Sequence, residues 1–358
     1  MMLWPDRQGP PTAVAPLGSL PGPPQRQALP RPRRRYGVVG FVVRRTAAGL
    51  VTLVIASMMI FTAASVLPGD AASNVLGRQA SPERLEELRT QLGLNRSLPS
   101  QYWAWVSNVA GGSLGNSTVA LAEKSSTPSL NQRLSSPMWN SLVLAALTAV
   151  LMIPLSLLLG ALAGARAGGV VDRIISGTSL SLTAMPEFVL GALLLLVFFT
   201  RLDWLPPVAV EVTTSGPFGA PTALVLPTAT LLGVTVGSGA RLVRAGMVEA
   251  MRSEYVEAAR LSGLSETTVT FRYALRNSLG AAVQILAQNL QYLLGGIIVV
   301  ESLFAYPGIG SELIQAINTR DTTAIEAIAI VLAAAYIVIN IVADLLTVLL
   351  VPRLRTEL

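Results

Sequence analysis

Apolar residues in this chain come as unbroken runs more than as stripes. Six runs lie near twenty residues each: roughly 46–67, 138–164, 175–200, 222–240, 279–300 and 327–351. That is the length an α-helix needs to cross the hydrocarbon core of a bilayer. Pro186 falls inside the third run and Pro227 inside the fourth. Both helices are expected to continue through them, because neighbouring helices take up the carbonyls a proline frees. Gly233 and Gly237 form a small-xxx-small pair, the pattern of a helix-packing face. The prediction is an all-α polytopic membrane protein with six transmembrane helices.

Between the runs the pattern changes. Residues 1–30 are rich in Pro, Gly and Gln without apolar periodicity, and a disordered tail reaching residue 35 is expected. The basic cluster "RPRRRYGVVGFVVRR" (31–45) precedes the first run. That run is too long for a signal-peptide core, and "VLPGD" is a poor small-residue cleavage site, so 36–67 reads as a basic segment plus a retained first helix. Residues 68–137 are expected to form an extracytoplasmic insertion. Ser81 before Pro82 and Glu83 marks a helix start; Leu85, Leu88 and Leu92 share a face, and Gly93 ends it. The aromatic stretch "QYWAWVSNV" (101–109) has two readings: Tyr102, Trp103 and Trp105 rest at the membrane–water interface, or they dock an external partner.

Composition sharpens the class. Of 358 residues, 52% are hydrophobic and 13% charged, whereas soluble domains carry about a quarter charged residues. Cys and His are both absent, which removes disulfides, thiol nucleophiles, thiolate metal sites and imidazole relays. No catalytic residue, metal site or chain-borne cofactor is expected. The net charge of +6 comes without any nucleic-acid-binding motif, so no nucleic-acid partner is expected. The basic residues read as topological signals facing an anionic leaflet of membrane lipid. Eighteen of the 26 fall in residues 1–45, at Arg166 and Arg173, in 241–278, and at Arg353 and Arg355. Both termini are then cytoplasmic, and so is 241–278.

That cytoplasmic block breaks the apolar pattern most sharply. Read as one helix, 247–262 puts Met247, Met251, Tyr255 and Ala258 on a shared face. Gly263 is a left-handed terminator, and Ser265 caps a second short helix with Glu266 in its first turn. Ala258, Ala259 and Gly263 make a low-profile surface ringed by Glu254, Glu257 and Arg260, with Leu264 and Ser265 beyond the turn. This describes a docking knob. An interfacial helix lying on lipid is the alternative, and its acidic residues count against it.

Polar residues inside the runs mark candidate pathway positions. Gln284, Gln288 and Gln291 are spaced i, i+4, i+7 and share a face, which either bonds neighbouring helices or lines a path. Asn340 and Asp344 form a second pair, with Asp344 expected to pair with a neighbouring helix. Glu187, just after Pro186, either faces a cavity and meets a cationic cargo group or belongs to a structural ion pair.

The sequences "EYVEAARLSGLS" (254–265) and "ALRNSL" (274–279) resemble the EAA loop of ABC importer permeases: Glu257, Ala258, Ala259 and a glycine, Gly263, four residues on. The stretches "VLPGD", "LRTQLGLNRSL", "MPEFVLGALLLLVFF" with "LDWLPP", and "GGIIVVESLFAYPGIGSELIQAINTRD" occur in the order of the B-type permease subunit of dipeptide, oligopeptide and nickel importers. The resemblance covers about 36–358. Two positions depart from it: Ser262 stands where the subfamily often has a basic residue, and Glu187 where a small residue is expected. The resemblance implies a type I ABC importer fold in the bacterial cytoplasmic membrane, with a core transmembrane domain at 138–358. It implies a second, C-type permease subunit, one or two cytoplasmic ATPase subunits gripping the loop, and an extracytoplasmic substrate-binding protein. ATP and magnesium would be held by the ATPases, since the chain has no G-x-x-x-x-G-K-[ST] loop. The implied cargo is a di- or oligopeptide, with nickel or another small solute as alternatives. An ion-coupled secondary transporter is the competing class, but the halves show no clear repeat and the charged block has no purpose there.

Overall fold

A computed structural model describes residues 38–66, 71–76, 81–122 and 129–350. The Pro-rich tail, Arg353 and Arg355 lie outside them, as do the side chains of 277–287, Gln284 included. Every regular element among the described residues is helical. The long ones are α1 (Val38–Val66), α6 (Leu130–Ala165), α10 (Pro221–Met251), α13 (Leu275–Leu303) and α15 (Thr322–Leu350). Four short helices occupy the insertion: α2 (Ala71–Leu76), α3 (Pro82–Leu92), α4 (Leu98–Ala110) and α5 (Thr118–Ala122). The others are α7 (Val170–Ala184), α8 (Glu187–Leu194, continuing as a π-helix to Arg201), α9 (Val212–Gly219), α11 (Glu254–Leu261), α12 (Glu266–Thr268) and α14 (Ile309–Asn318).

Four of these helices are long and apolar enough to cross a membrane, and α7 with α8 makes a fifth candidate bent by 110°. The bend overturns the expectation of a continuous third span. Met185, squeezed by the ring of the following proline, takes an extended conformation (φ −89°, ψ 133°), and Pro186 has no N–H to give the ladder. The fourth run also differs: α10 continues past residue 240 to Met251, so the first eleven residues of the expected loop are helix. Arg241 and Arg244 signalled an end there, yet Arg244 is ion-paired within the bundle. Likewise α6 starts at Leu130, inside the stretch assigned to the insertion.

Small residues set the packing. Gly160 and Gly164 of α6 lie against Val243 and Met247 of α10, in parallel register; a Cβ on Gly160 would come within 2.5 Å of Val243 Cβ and 2.7 Å of the Ala240 carbonyl. Gly237 of α10 lies as close to the Ser179 carbonyl of α7, so the predicted small-residue face is a helix contact. On the other side of the bundle α1 runs antiparallel to α15, with Arg45 paired to Asp344 and Gly49 against Ile337 and Ile341.

These registers define two ends. At one, here the insertion end, Arg133 of α6 pairs with Glu312 of α14 at 2.9 Å. Asp321 there accepts bonds from the Ser117 hydroxyl and the Thr118 and Ala324 amides, tying α5 to the start of α15. Glu301, fully buried at the end of α13, accepts from Ser141 Oγ (2.5 Å) and Gly310 N (2.7 Å), so it caps the first turn of α14. Gly308 and Gly310 leave the room its carboxylate occupies; this explains the "YPGIG" turn. Within the insertion Ser81 caps α3, Gly93 ends it at φ +69°, and Leu88 is buried with Leu85 and Leu92 packed around it. Tyr102 and Trp105 stack on Phe61 of α1, while Trp103 is 72% exposed. At the opposite, loop end lie the 166–169 turn, 252–274, the start of α1 and the close of α15.

Gly160→Ala drives a methyl group into Val243 and the Ala240 carbonyl and is expected to cost about 1–3 kcal/mol. Gly177→Ala, whose Cβ meets open space, is expected to be neutral or slightly stabilising. Thermal melting of the two purified variants in one detergent checks the contrast.

Candidate functional site

The charged block folds as a hairpin at the loop end. Helix α10 stops at Met251, and Ser253, in extended conformation, stands at the start of α11 with its hydroxyl donating back to the Ala250 carbonyl. Glu254 and Glu257 occupy the first turn of α11, where the helix dipole favours them. The helix closes at Gly263 in the left-handed region (φ +78°), its N–H on the Arg260 carbonyl at 2.9 Å. Ser265 then accepts from the Thr268 amide to cap α12. Arg260 reaches across the turn to Glu266 with two bonds of 2.8 and 3.3 Å. Both groups are exposed, so this pair orients the turn without adding much stability.

The hairpin has two faces. Inward, Val256, Ala259, Val269 and Ala274 bury against Met247 and Ala250 of α10, with Ala165 of α6 packed alongside. Outward lie Glu254, Tyr255, Glu257, Ala258, Arg260, Leu261, Gly263, Leu264 and Ser265. Two expectations fail here. Ala259 is only 6% exposed and belongs to the core, not the docking surface. Tyr255 and Ala258 do not continue the buried face of Met247. The cause is the break at 252–253, which resets the helical phase that an uninterrupted 247–262 helix would have kept. The outer face gains Leu261, 84% exposed and beside the glycine turn. An isolated leucine between Arg260 and Ser262 gave no periodic signal.

A clamp links this hairpin's supporting helix to α7. Asp172, buried in the first turn of α7, accepts from Arg244 Nε (2.5 Å) and Nη2 (2.8 Å), and also from Gly168 N and Ser176 Oγ. The bidentate geometry fixes both distance and orientation. Sequence reading passed over Asp172 because an acid at the edge of an apolar run looks like a span boundary.

The polar positions of the spans separate into two groups. Asn289 is buried between α13 and α10, receiving a bond from Ser238 Oγ (2.9 Å) and donating to the Thr235 carbonyl (3.3 Å). Beside it on α13 the surface is open: Gln288 is exposed, Gln291 half-buried, and Tyr292 half-exposed. Glu187, at the start of α8, accepts a hydrogen bond from the Tyr292 hydroxyl. A Cβ on Gly296 would stand 3.3 Å from the Glu187 carboxylate. The bend at Pro186 thus places Glu187 at a helix N-terminus against α13, where its partner is a phenol and not the cation of an ion pair. Tyr292 escaped notice because aromatics near span ends are common. Asp344, expected to pair with a neighbouring helix, meets Arg45 of α1.

A bundle of long apolar helices with a compact charged hairpin on one end and a polar strip on one side is the architecture of a multi-pass membrane transport subunit. Residues 156–356 match the family described as binding-protein-dependent transport system inner membrane component, and 38–153 match the N-terminal membrane component of the same systems. The chain belongs to this family, and is a transport subunit. It is 30% identical over 315 residues to a probable peptide ABC transporter permease of Sinorhizobium fredii, covering 88% of this chain and 99% of that one. It is 31% identical over 320 residues to a glutathione transport system permease of Pectobacterium atrosepticum, and 30% identical over 318 to one from Escherichia coli K12, covering 89% of this chain and 99% of each relative.

Asp172→Asn removes the charge that holds Arg244 and is expected to lower stability by about 2–3 kcal/mol. Arg244→Gln should cost a similar amount, and the double variant little more than either alone, since both remove one interaction. Chemical or thermal unfolding of the three purified proteins measures this.

Proposed function

We propose that this chain is the B-type permease subunit of an ATP-driven importer and forms half of the path for peptides delivered by an extracytoplasmic binding protein. The hairpin at the loop end carries the reading. Its inner face is packed on α6 and α10 and runs directly into α13, so a force applied to its outer face moves three long helices together. The outer face has the chemistry of a protein contact: an exposed apolar side chain, Leu261, beside the small residues Ala258 and Gly263, ringed by Glu254, Glu257 and Arg260.

The loop end is cytoplasmic in this reading, with both termini inside and six spans, α7 and α8 together counting as one. Arg166, Arg173, Arg252, Arg260, Arg272 and Arg276 at that end fit the positive-inside rule. The hairpin, with Leu264 and Ser265 completing its turn, seats in a cytoplasmic ATPase. ATP and magnesium stay on the one or two ATPase subunits, and this chain performs no covalent chemistry. A C-type permease covers the open strip that carries Gln288, Gln291 and Tyr292, so the strip and Glu187 line the path between two subunits; Gln284 belongs to the same sequence series. The peptide and glutathione permeases among the relatives favour a peptide cargo over nickel. Family membership likewise favours the ATP-driven class over an ion-coupled carrier.

In a reconstituted complex, Gly263→Arg and Leu261→Asp are each expected to cut ATP-driven uptake at least tenfold while the chain still inserts and its ATPases still hydrolyse ATP. Normal coupled uptake by both variants would remove the docking role. Glu187→Gln is expected to weaken uptake of peptides with a free amino terminus more than that of N-acetylated ones. An equal effect on both would make the carboxylate structural.

A further inference from the structure

A cavity of about 670 Å³ opens at the insertion end, between the α3–α4 turn, the last turns of α1 and the first turns of α15. Its volume is that of a small-molecule pocket. Glu326, in the second turn of α15, lines it and is half-buried. Among the described residues it has no hydrogen bond or ion pair. The other acids of this end that are withdrawn from solvent are satisfied: Glu301 by Ser141 and the Gly310 amide, Glu312 by Arg133, Asp321 by Ser117 and two backbone amides. Glu326 is the exception, and a carboxylate withdrawn from water without a counter-charge is costly.

Two arginines line the same cavity: Arg89, which pairs with Glu86, and Arg96. Arg96 has no ion pair with a described residue, and its guanidinium is folded back over Gly93, its Nε 4.0 Å from where a Cβ would stand. Two further polar atoms at the cavity are buried and unbonded: the Trp105 indole Nε1 and the Thr322 hydroxyl. The Trp105 ring itself is held by Phe61 and Tyr102, with centroids 6.1 and 6.3 Å away. Those two atoms are sealed from the open space, so what the cavity itself offers is an anion, an aromatic wall and the cation Arg96, with Arg89 already paired to Glu86.

We propose that this cavity binds a small zwitterion, its primary ammonium group on Glu326 and its anionic group toward Arg96. An ammonium satisfies the carboxylate and gains from the indole face. A guanidinium suits a carboxylate or a phosphate. The same chemistry is carried by a short peptide with free ends and by a phosphatidylethanolamine headgroup. The proposal does not rest on the transport reading, because binding is measured on this chain alone.

The test uses the full-length chain in nanodiscs of phosphatidylcholine, titrated with glycylglycine and followed by tryptophan fluorescence. Trp105→Phe identifies the part of the signal that belongs to the cavity. A saturable change is expected with glycylglycine and not with N-acetylglycylglycine. Glu326→Gln and Arg96→Gln should each weaken it at least tenfold. If phosphatidylethanolamine nanodiscs alone produce the change and block glycylglycine, the site is confirmed with lipid as its ligand. No saturable response to either source, an equal response to the acetylated peptide, or an unaltered response in Glu326→Gln overturns the proposal. Glu326→Asp, which keeps the charge and should retain partial binding, separates loss of the site from loss of the fold, and a circular dichroism melt verifies each variant.

Discussion

The parallel contact of α6 with α10 is the constraint from which the other arrangements follow. Inside a bilayer the expulsion of apolar surface from water no longer drives helices together, so association depends on how closely backbones approach. Gly160 and Gly164 bring α10 near enough for Val243 and Met247 to fill the space a larger residue would take. Met247 is then fully buried and becomes the floor on which Val256, Ala259 and Val269 of the hairpin rest. A single register between two helices therefore sets where the hairpin sits at the loop end. Widening it would unseat the hairpin without touching any of its own residues.

Buried acids solve a different problem in three ways. Glu301 and Asp321 stand where helices begin after a turn, and each accepts backbone N–H groups that would otherwise lack partners. Asp172 pairs with a guanidinium across two helices and fixes their spacing. Glu187 takes a third course, a single phenolic donor on a surface that its own chain leaves open. The first two uses are rigid: their partners are backbone or bidentate. The third rests on a single side-chain donor and is only half-buried, so it is the least enclosed acid of this set.

The long apolar runs were legible because each encodes its own solvent; α1, α6, α10, α13 and α15 all overlap expected spans. Local chemistry was equally clear where one residue decides the backbone. Gly263 and Gly93 adopt the left-handed conformation expected of them, and Ser81 and Ser265 form their caps. What escaped depends on relations between distant residues. Charges at 241 and 244 looked like a helix end because Asp172, some seventy positions earlier in the chain, was invisible as their neighbour. Pro186 looked tolerable because nothing in the apolar run says whether the surroundings will absorb a break or follow it. Ala259 looked exposed because a two-residue interruption changes phase, and phase errors propagate to every later residue of a helix. The Gln series drew attention and Asn289 did not, though Asn289 is the one sealed between helices and Gln288 is open.

The open surfaces are unequal, and the inequality carries information about assembly. The apolar stretch of α1 is almost wholly uncovered by the rest of the chain, and its outward residues are Val51, Val54, Met58 and Met59, a lipid-compatible face. The strip along α13 instead exposes Gln288 and Tyr292 beside Glu187. Amides and a carboxylate cannot face hydrocarbon cheaply, so this side of the bundle needs water or protein where the α1 side needs neither. The strip and the hairpin share α13: the π-helical turn Val269–Ala274 joins the hairpin to it, and Tyr292 on it bonds Glu187 just after the bend at Pro186. A displacement of the hairpin is therefore carried along one helix toward the polar strip.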